Sequence, residues 1–352
     1  MIQIYNPSAH SFSYLPRHEH PTPPSATPNE TFARPISYQL PKWYDSYCHA
    51  QSPNLPGVTT QHALAVQYVI GIDGGGTGTR ARLVRADGEI LASAQAGPSA
   101  LGQGVLQAWR NVSQAIEASF HLANVHAWRP EECALGLGLA GAIVASYHRD
   151  FLQMAHRFAS VELASDGYTT LLGAHGGRPG AVVAAGTGSI GEALRADGTH
   201  VSVGGWGYPV GDEGGGAWIG MRAMREAQQA SDGRAPAGPL VHAIAKVAGA
   251  SRDALLTWGE RAGQHAYAAL APLVFETAAI DAKAAQLLDD AARAIDGIAL
   301  ALDPEGGLPL VVTGSIGDRL RPRLAASIRA RLVEPAGNAI DGALRLIRAE
   351  LG

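Results

Sequence analysis

A motif that occurs twice, at a fixed offset of 110 residues, constrains the fold more than any other feature of this sequence. Residues 76–79, of sequence GTGT, return as residues 186–189, GTGS, and residues 85–88, RADG, return unchanged as residues 195–198. In each copy a Gly-Thr-Gly loop follows an apolar segment, and an Asp-Gly hairpin turn lies at the same distance beyond it. Two matches in one register indicate duplication of a strand-loop-strand unit.

The segments around both copies alternate between strand and helix patterns. Short apolar or alternating runs predict strands over residues 68–72, 80–85, 89–94, 134–139, 160–164 and 181–185. Helical spacing predicts helices over residues 101–123, 147–158, 168–174 and 284–302. This order is typical of the α/β class.

The first 66 residues differ sharply in composition from the rest of the chain. They hold ten of the 21 prolines and one of the 43 glycines, with no sustained period of 2 or 3.6 residues. We expect a mostly disordered tail. Two alternatives stay open: Trp43, Tyr44 and Tyr47 could dock on a partner, or translation starts near Val58 or Val66, just ahead of the first strand.

Charge and cysteine content exclude several classes of protein. The net charge is −4 and the basic residues are scattered, so we expect neither a nucleic-acid nor a membrane partner. No apolar run approaches the roughly 20 residues of a membrane span, and the N-terminus lacks a signal-peptide pattern, which favours the cytoplasm. The two cysteines, Cys48 and Cys133, predict neither a disulfide framework nor a cysteine-rich zinc or iron-sulfur site.

The repeated loops are candidates for phosphate binding. Glycines between two strands let the backbone approach a ligand, and successive N–H groups can form a concave nest for phosphate oxygens. Taken alone, either loop is interpreted as a tight hairpin turn. The occurrence of both favours a site in which the two loops bind one polyphosphate. The segment DGGGTGTR at residues 73–80 leads into a strand instead of the helix of a dinucleotide fingerprint, and no lysine lies in a P-loop context. Backbone N–H groups, hydroxyls and a metal ion must then hold the phosphate.

Two aspartates follow predicted strands. Asp73 ends the first strand, where its carboxylate can take a water of nucleotide-bound magnesium or form an Asx turn. Asp166 follows the strand over residues 160–164 and precedes a helix, so it is either a helix N-cap or a functional carboxylate at the carboxyl end of a strand. Transfer of a phosphoryl group to a hydroxyl needs a nearby carboxylate to accept the proton.

Seven segments carry a resemblance to a known family. They read DGGGTGTR, LGLAGA, ASDGYTTLLGAH, AAGTGS, GGWGYPVGDEGGGAWIG, VVTGSIGDRL and AIDGAL. In order and spacing they resemble the sugar kinases of the actin, hsp70 and hexokinase superfamily, and more closely the bacterial glucosamine and N-acetylglucosamine kinases of the BadF/BadG/BcrA/BcrD group. The resemblance covers residues 67–352.

This resemblance implies two duplicated ribonuclease-H-like (actin-like ATPase) domains, over residues 67–178 and 179–352, with ATP and sugar in the cleft between them. The last helix is expected to pack back on the first domain. Asp166 matches the general base, and Asp73 begins the first phosphate motif. Nucleotide positions in the two phosphate motifs and the adenosine motif fall on Asp73, Gly75, Gly76, Thr77, Thr79, Gly186, Thr187, Gly188, Ser189, Gly314 and Ser315. Hinge positions in the connecting helices fall on Ala140, Gly141, Gly342 and Ala343.

Residues 204–216 form the candidate sugar loop. An aromatic ring with carboxylates suits a pyranose, which has an apolar face and donor hydroxyls; structural glycines with a solvated acidic pair are the alternative. The candidate sugar positions are Ser99, Gly141, Trp206, Asp212 and Glu213. Segments 229–240 and 263–275 resemble glucosamine kinases, whereas the loop at Trp206 resembles N-acetylglucosamine kinases, so the resemblance leaves the amino sugar open.

Three functions are open at this point. The first is an ATP- and Mg²⁺-dependent kinase acting on the 6-hydroxyl of glucosamine or N-acetylglucosamine, or on another hexose or a muramic-acid derivative. The second is a BadF-type ATPase activator of a dehydratase, which needs cysteines for an iron-sulfur cluster shared between subunits. The third is a sugar-sensing regulator, whose usual helix-turn-helix has no counterpart in the Pro-rich segment. A homodimer is an option, because the Ala-rich helix over residues 284–302 suits either core packing or a dimer face.

Overall fold

The computed structural model describes residues 65–352, so the interpretations of residues 1–64 lie outside the described part. The first half of this part is built on a five-stranded sheet. Its strands are β1 Tyr68–Gly74, β2 Thr79–Arg85, β3 Ile90–Ala96, β4 Cys133–Leu139 and β5 Ser160–Ala164, in the order β3-β2-β1-β4-β5. β1, β4 and β5 run parallel, and β2 and β3 are antiparallel neighbours. All five predicted strands of this half are thereby confirmed.

The second half repeats this arrangement on a four-stranded sheet. Its strands are β6 Gly180–Ala185, β7 Ser189–Leu194, β8 His200–Gly204 and β9 Leu310–Thr313, in the order β8-β7-β6-β9. β6 pairs antiparallel with β7 and parallel with β9, as β1 does with β2 and β4. The duplication predicted from the two GTG loops is therefore visible in the strand topology.

The register of the two hairpins exposes one difference between the copies. Thr79 pairs with Gly74 in the first sheet, and Ser189 pairs with Ala185 in the second. The first loop is thus one residue longer, and the position of Asp73 falls on an alanine in the second copy. Only the first copy therefore has an acidic residue at this position.

Helices cover the faces of both sheets. In chain order they are α1 Val105–Leu122, α2 Ala145–Met154, α3 Asp166–His175, α4 Gly216–Ser231, α5 Pro239–Ala248, α6 Arg252–Arg261, α7 Gln264–Ala268, α8 Ala271–Thr277, α9 Ala282–Leu302, α10 Gly317–Leu320, α11 Ala326–Arg329 and α12 Ala339–Leu351. α2 ends four residues before the predicted boundary, and Phe158 beyond it packs edge-on against Trp109 of α1. α9 packs on β6, β7 and β8, so its apolar face belongs to the core. Within residues 65–352 no helix is both long and apolar enough to cross a bilayer.

Glycines in the first sheet let two helices approach its backbone. In β4 the leucines face α1 and α2, and Gly136 and Gly138 point to the opposite side because strand side chains alternate. A Cβ at Gly136 would overlap the Ala343 carbonyl oxygen of α12, and one at Gly138 would overlap the Thr169 hydroxyl of α3. The last helix of the chain therefore packs on the first sheet, against β1 and β4.

α3 and α12 cross with direct backbone contact. A Cβ at Gly173 would overlap the Asn338 carbonyl oxygen, and one at Gly342 would overlap the Thr169 carbonyl oxygen. The opposite face of α3 buries Leu171 against β6 and β9 of the second sheet. α3 therefore lies between the two sheets, and its first residue follows the carboxyl end of β5.

The helical location expected for two of the four hinge residues is wrong. Gly342 and Ala343 do lie in a helix, α12, as the resemblance implied. Ala140 and Gly141 lie instead in a turn after β4, where the Ala140 N–H donates to the Gly74 carbonyl. Gly141 adopts a φ of 86°, a left-handed conformation that ends a strand and that a helix does not use.

Replacing Gly342 with alanine should destabilise the protein, because the new methyl group has no space between α3 and α12. We expect the free energy of unfolding to fall by about 1–3 kcal/mol, the usual cost of overpacking. Gly297 is a matched control, since it lies in helix α9, where an added Cβ would meet no heavy atom within 4 Å. Gly297→Ala should raise stability by about 0.5–1 kcal/mol. Urea unfolding of both variants measures the contrast, and equal stabilities would show that the helices are not in contact.

Candidate functional site

The carboxyl ends of the parallel strands place the sequence-predicted residues along one edge. Asp73 of β1 lies beside Gly138 of β4, which lies beside Ala164 of β5. Asp166 follows two residues later at the first position of α3. Ligands of open α/β sheets gather at this edge, so the first GTG loop, Asp73 and Asp166 share one side of the first sheet.

The two GTG loops are built alike and are open to a ligand. The Gly75 N–H donates to the Gly78 carbonyl (3.0 Å), and the Gly186 N–H donates to the Gly188 carbonyl (2.9 Å). A Cβ at Gly75 or Gly186 would meet no heavy atom within 4 Å. The backbone N–H groups of Gly76, Thr77, Thr187 and Gly188 donate to no acceptor within residues 65–352. These donors suit phosphate oxygens.

The hydroxyls of each motif divide into two kinds. Thr79 is buried and donates to the Gly97 carbonyl (2.6 Å), and its counterpart Ser189 is buried and donates to the Glu213 carbonyl (2.7 Å). Within the described residues the hydroxyls of Thr77 and Thr187 have no hydrogen-bond partner. The second hydroxyl of each motif therefore holds the loop, and the first is left for a ligand.

Ser99, a candidate sugar residue, is fully buried beneath the first loop. Its hydroxyl oxygen lies 2.7 Å from that of Thr79, and a Cβ at Gly74 would overlap it. In this conformation Ser99 supports the end of β1 and does not reach solvent.

The candidate adenosine motif lies against the second loop. Gly314 adopts a φ of 93°, and a Cβ there would overlap the Ala185 carbonyl oxygen. The same oxygen accepts a hydrogen bond from the Ile316 N–H (3.0 Å). Ser315 between them is exposed. A nucleotide whose phosphates lie at the second loop would therefore meet Gly314 and Ser315 next.

Asp73 and Asp166 form the charged centre of the site. Asp73 accepts a hydrogen bond from Arg80 on the neighbouring strand (Nε to Oδ2, 3.0 Å). Burial, the charge of Asp73 and the more distant charge of Glu192 together raise the pKa of Asp166 to about 6. The N-cap alternative for Asp166 is wrong, because Ser165 caps α3 by accepting from the Tyr168 N–H (3.0 Å).

Sequence reasoning missed a buried carboxylate near Asp166 that contacts an imidazole. Glu192 of β7 is almost fully buried, and its Oε2 lies 2.6 Å from Nε2 of His200. A Cβ at Gly167 would lie 3.0 Å from the other carboxylate oxygen of Glu192. Nothing in the alternating pattern of β7 distinguishes this glutamate from a solvated one, because its partner comes from the next strand.

Asp212 anchors the candidate sugar loop. It is buried in a left-handed conformation (φ 61°), its Oδ1 accepts from the Gly207 N–H (3.1 Å), and its Oδ2 accepts from Gln264 Nε2 (3.1 Å). Burial raises its pKa. Trp206 and Glu213, by contrast, are exposed, Trp206 with 75% of its surface free. The loop thus presents an indole and a carboxylate to solvent on a framework tied by Asp212.

A chain of contacts joins the two GTG loops. The Asp212 carboxylate lies against Gly188 of the second loop and binds Gln264. The next residue, His265, packs on Gly76 of the first loop. The side chains of Asp212, Gln264 and His265 therefore connect the two loops.

The acidic residues present fit a nucleotide-bound Mg²⁺. Such an ion takes one or two carboxylates and fills its remaining positions with water and phosphate oxygens. Asp73 is partly exposed, and Asp166 is close enough for the charge of Asp73 to raise its pKa. Within residues 65–352 no three His, Cys, Asp or Glu side chains converge on one point, so substrate phosphates would have to complete the coordination.

The comparison with known proteins assigns the family. Residues 70–333 match the BadF/BadG/BcrA/BcrD ATPase family. This chain belongs to that family. It is 35% identical over 280 residues to a glucosamine kinase of Vibrio cholerae, covering 79% of this chain and 95% of the relative. It is 28% identical over 289 residues to an N-acetyl-D-glucosamine kinase of Dictyostelium discoideum, covering 71% and 86%.

A solved structure supports the fold of this BadF-family chain. A crystal structure from Chromobacterium violaceum with the provisional name N-acetylglucosamine kinase has a TM-score of 0.78 and 48% identity, and the match covers 80% of this chain and 99% of that one. The family resemblance and the duplicated α/β fold expected from the sequence are thereby confirmed.

Replacing Asp212 with alanine should loosen the sugar loop, because the partly buried N–H of Gly207 and the Gln264 amide would lose their acceptor. We expect the free energy of unfolding to fall by about 1–3 kcal/mol. Asp212→Asn should cost less, since asparagine tolerates the left-handed conformation and keeps one acceptor. Hydrogen exchange of residues 204–216 and urea unfolding report the effect, with exposed Glu213→Ala as control. A stable Asp212→Ala variant with unchanged exchange would refute the anchoring role.

Proposed function

We propose that this protein transfers the terminal phosphoryl group of ATP to the 6-hydroxyl of an amino sugar, glucosamine or N-acetylglucosamine. The observation that carries the proposal is a half-buried carboxylate, Asp166, beside Asp73 at the strand edge that holds the first of the two open glycine loops. The names of the relatives, a glucosamine kinase and two N-acetylglucosamine kinases, support the substrate class. ATP is the donor consistent with an ATPase family, and its use favours the cytoplasm.

The triphosphate would lie between the two loops. N–H groups of Gly76, Thr77, Thr187 and Gly188 and the hydroxyls of the two threonines are the donors that have no partner within residues 65–352. Asp73 would hold Mg²⁺ through water, with Arg80 fixing the orientation of its carboxylate. A bound Mg²⁺ would supply neutralisation of phosphate charge during transfer.

Asp166 would accept the proton of the sugar hydroxyl. A pKa of about 6 leaves this carboxylate largely ionised at neutral pH, yet makes it a stronger base than an ordinary aspartate. The neighbouring charges of Asp73 and Glu192 contribute to this basicity. Ser165 caps the helix, and Asp166 Oδ1 accepts from the Gly167 N–H (3.0 Å), which leaves Oδ2 without a hydrogen-bond donor among residues 65–352.

The sugar would rest on the loop over residues 204–216. The exposed Trp206 ring suits the apolar face of a pyranose, and the exposed Glu213 carboxylate can accept from its hydroxyls. Gly141 lies in the turn after β4, at the same edge as Asp166. Asp212 would act mainly by shaping this loop, since both of its oxygens already accept hydrogen bonds.

A dehydratase activator is disfavoured by the position of Cys133. This thiol is fully buried in β4 and donates to the Arg129 carbonyl. Burial raises its pKa to about 12. A cluster shared between subunits needs a surface thiolate, which Cys133 cannot readily provide.

Substrate identity follows from ADP release with a panel of sugars. We expect the highest kcat/KM with glucosamine or N-acetylglucosamine, and lower values with glucose and muramic-acid derivatives. The 6-deoxy analogue of the preferred sugar should release no ADP beyond the sugar-free rate, because the accepting hydroxyl is missing. ADP release that no sugar stimulates would overturn the proposed function.

Asp166→Ala should lower kcat by about 10²- to 10⁴-fold, the usual contribution of a general base, with little change in ATP affinity. In the wild type, kcat/KM should fall as the pH drops below about 6, because protonated Asp166 cannot accept a proton. Asp150→Asn, at an exposed position of α2, is the control. A nearly active Asp166→Ala enzyme would remove this residue from the base role.

A further inference from the structure

The sequence alone does not show which basic side chain would bind the nucleotide phosphates. The two lysines of the described part, Lys246 and Lys283, lie at the end of α5 and the start of α9. Two other basic side chains reach the first GTG loop: Arg80, which pairs with Asp73, and His265. His265 is therefore a basic side chain at this loop that forms no ion pair with a carboxylate within residues 65–352.

His265 comes from the second half of the protein and lies over the first loop. It belongs to α7, which packs on α4. A Cβ at Gly76 would lie 3.0 Å from Cε1 and 3.1 Å from Nε2 of the imidazole. The side-chain amide of Gln103 lies 3.3 Å from His265 Nε2 and 3.3 Å from the Gly76 carbonyl oxygen. The ring is thus positioned at a loop whose Gly76 and Thr77 N–H groups have no acceptor within the described residues.

The residue before His265 connects it to the second loop. Gln264 donates to Asp212, and the Asp212 carboxylate lies against Gly188. The segment that contains His265 is therefore anchored beside the second GTG loop, and the His265 ring lies on the first. A phosphate group held by both loops would lie within reach of this imidazole.

We propose that His265 is a phosphate-binding residue, through which the second half of the protein contacts the ATP phosphates at the first loop. This inference rests on the proposed function and adds a residue to its nucleotide site. An imidazole N–H would donate to a phosphate oxygen, and the bond would be charge-assisted because the acceptor is anionic. The Gln103 amide, which contacts both the ring and the Gly76 carbonyl oxygen, holds the imidazole near the loop.

The test is nucleotide binding by calorimetry to the full-length protein without sugar, in the presence of Mg²⁺. His265→Ala should weaken ATP binding about tenfold or more, the usual effect of losing a hydrogen bond to a charged group. Adenosine binding should not change, because it has no phosphate. His265→Gln, which keeps a donor, should lose less than the alanine variant.

His242→Ala is the matched control, since His242 is also exposed and lies on α5 of the same half. It should bind ATP as the wild type does. Because His265 is exposed, its variants should keep the wild-type melting temperature. Wild-type or tighter ATP binding by His265→Ala would overturn the inference and identify the ring as a mere cover of the loop. An equal loss of adenosine binding would overturn it as well, since the contact would then not be with phosphate.

The two proposals fail in different ways. A wild-type protein that phosphorylates an amino sugar, paired with a His265→Ala variant of unchanged ATP affinity, would remove only the role of His265. A wild-type protein that binds no ATP would overturn both proposals.

Discussion

Backbone contact between α3 and α12 is the constraint on which the rest of the structure depends. Gly173 and Gly342 let the two helices touch where any larger residue would overlap a carbonyl oxygen. α12 in turn lies on the glycines of β4, and α3 buries its other face on the second sheet. Because α3 begins at Asp166, the same packing that joins the sheets also fixes the position of the candidate base.

The charges of Asp73 and Glu192 act on Asp166 at the start of α3, and the three carboxylates are only partly compensated. Arg80 neutralises Asp73, and His200 lies within hydrogen-bonding distance of Glu192, which leaves Asp166 as the carboxylate without a basic partner among the ion pairs of residues 65–352. Burial with two like charges nearby raises its proton affinity. The negative potential of the site would favour a divalent cation as much as a proton.

Duplication produced two loops of similar geometry but unequal roles. Both close with one backbone hydrogen bond, and in both the second hydroxyl is buried. Only the first copy carries an acidic residue before the loop, and only the second is followed by helices α4 to α8. Those helices supply Gln264 and His265. The second half therefore contributes the side chains that connect its own loop to the first loop.

The sequence by itself determined the strands, the duplicated loops, the family and the positions of Asp73 and Asp166, because periodicity and local motifs act over a few residues. Only the tertiary structure decided that Ser165 caps α3, that Ala140 and Gly141 form a turn, and that Thr79 and Ser189 face inward. It also decided the partners of Glu192 and the crossing of His265 to Gly76. Such contacts join residues distant in the chain, and their energies depend on burial and distance, which no local pattern records.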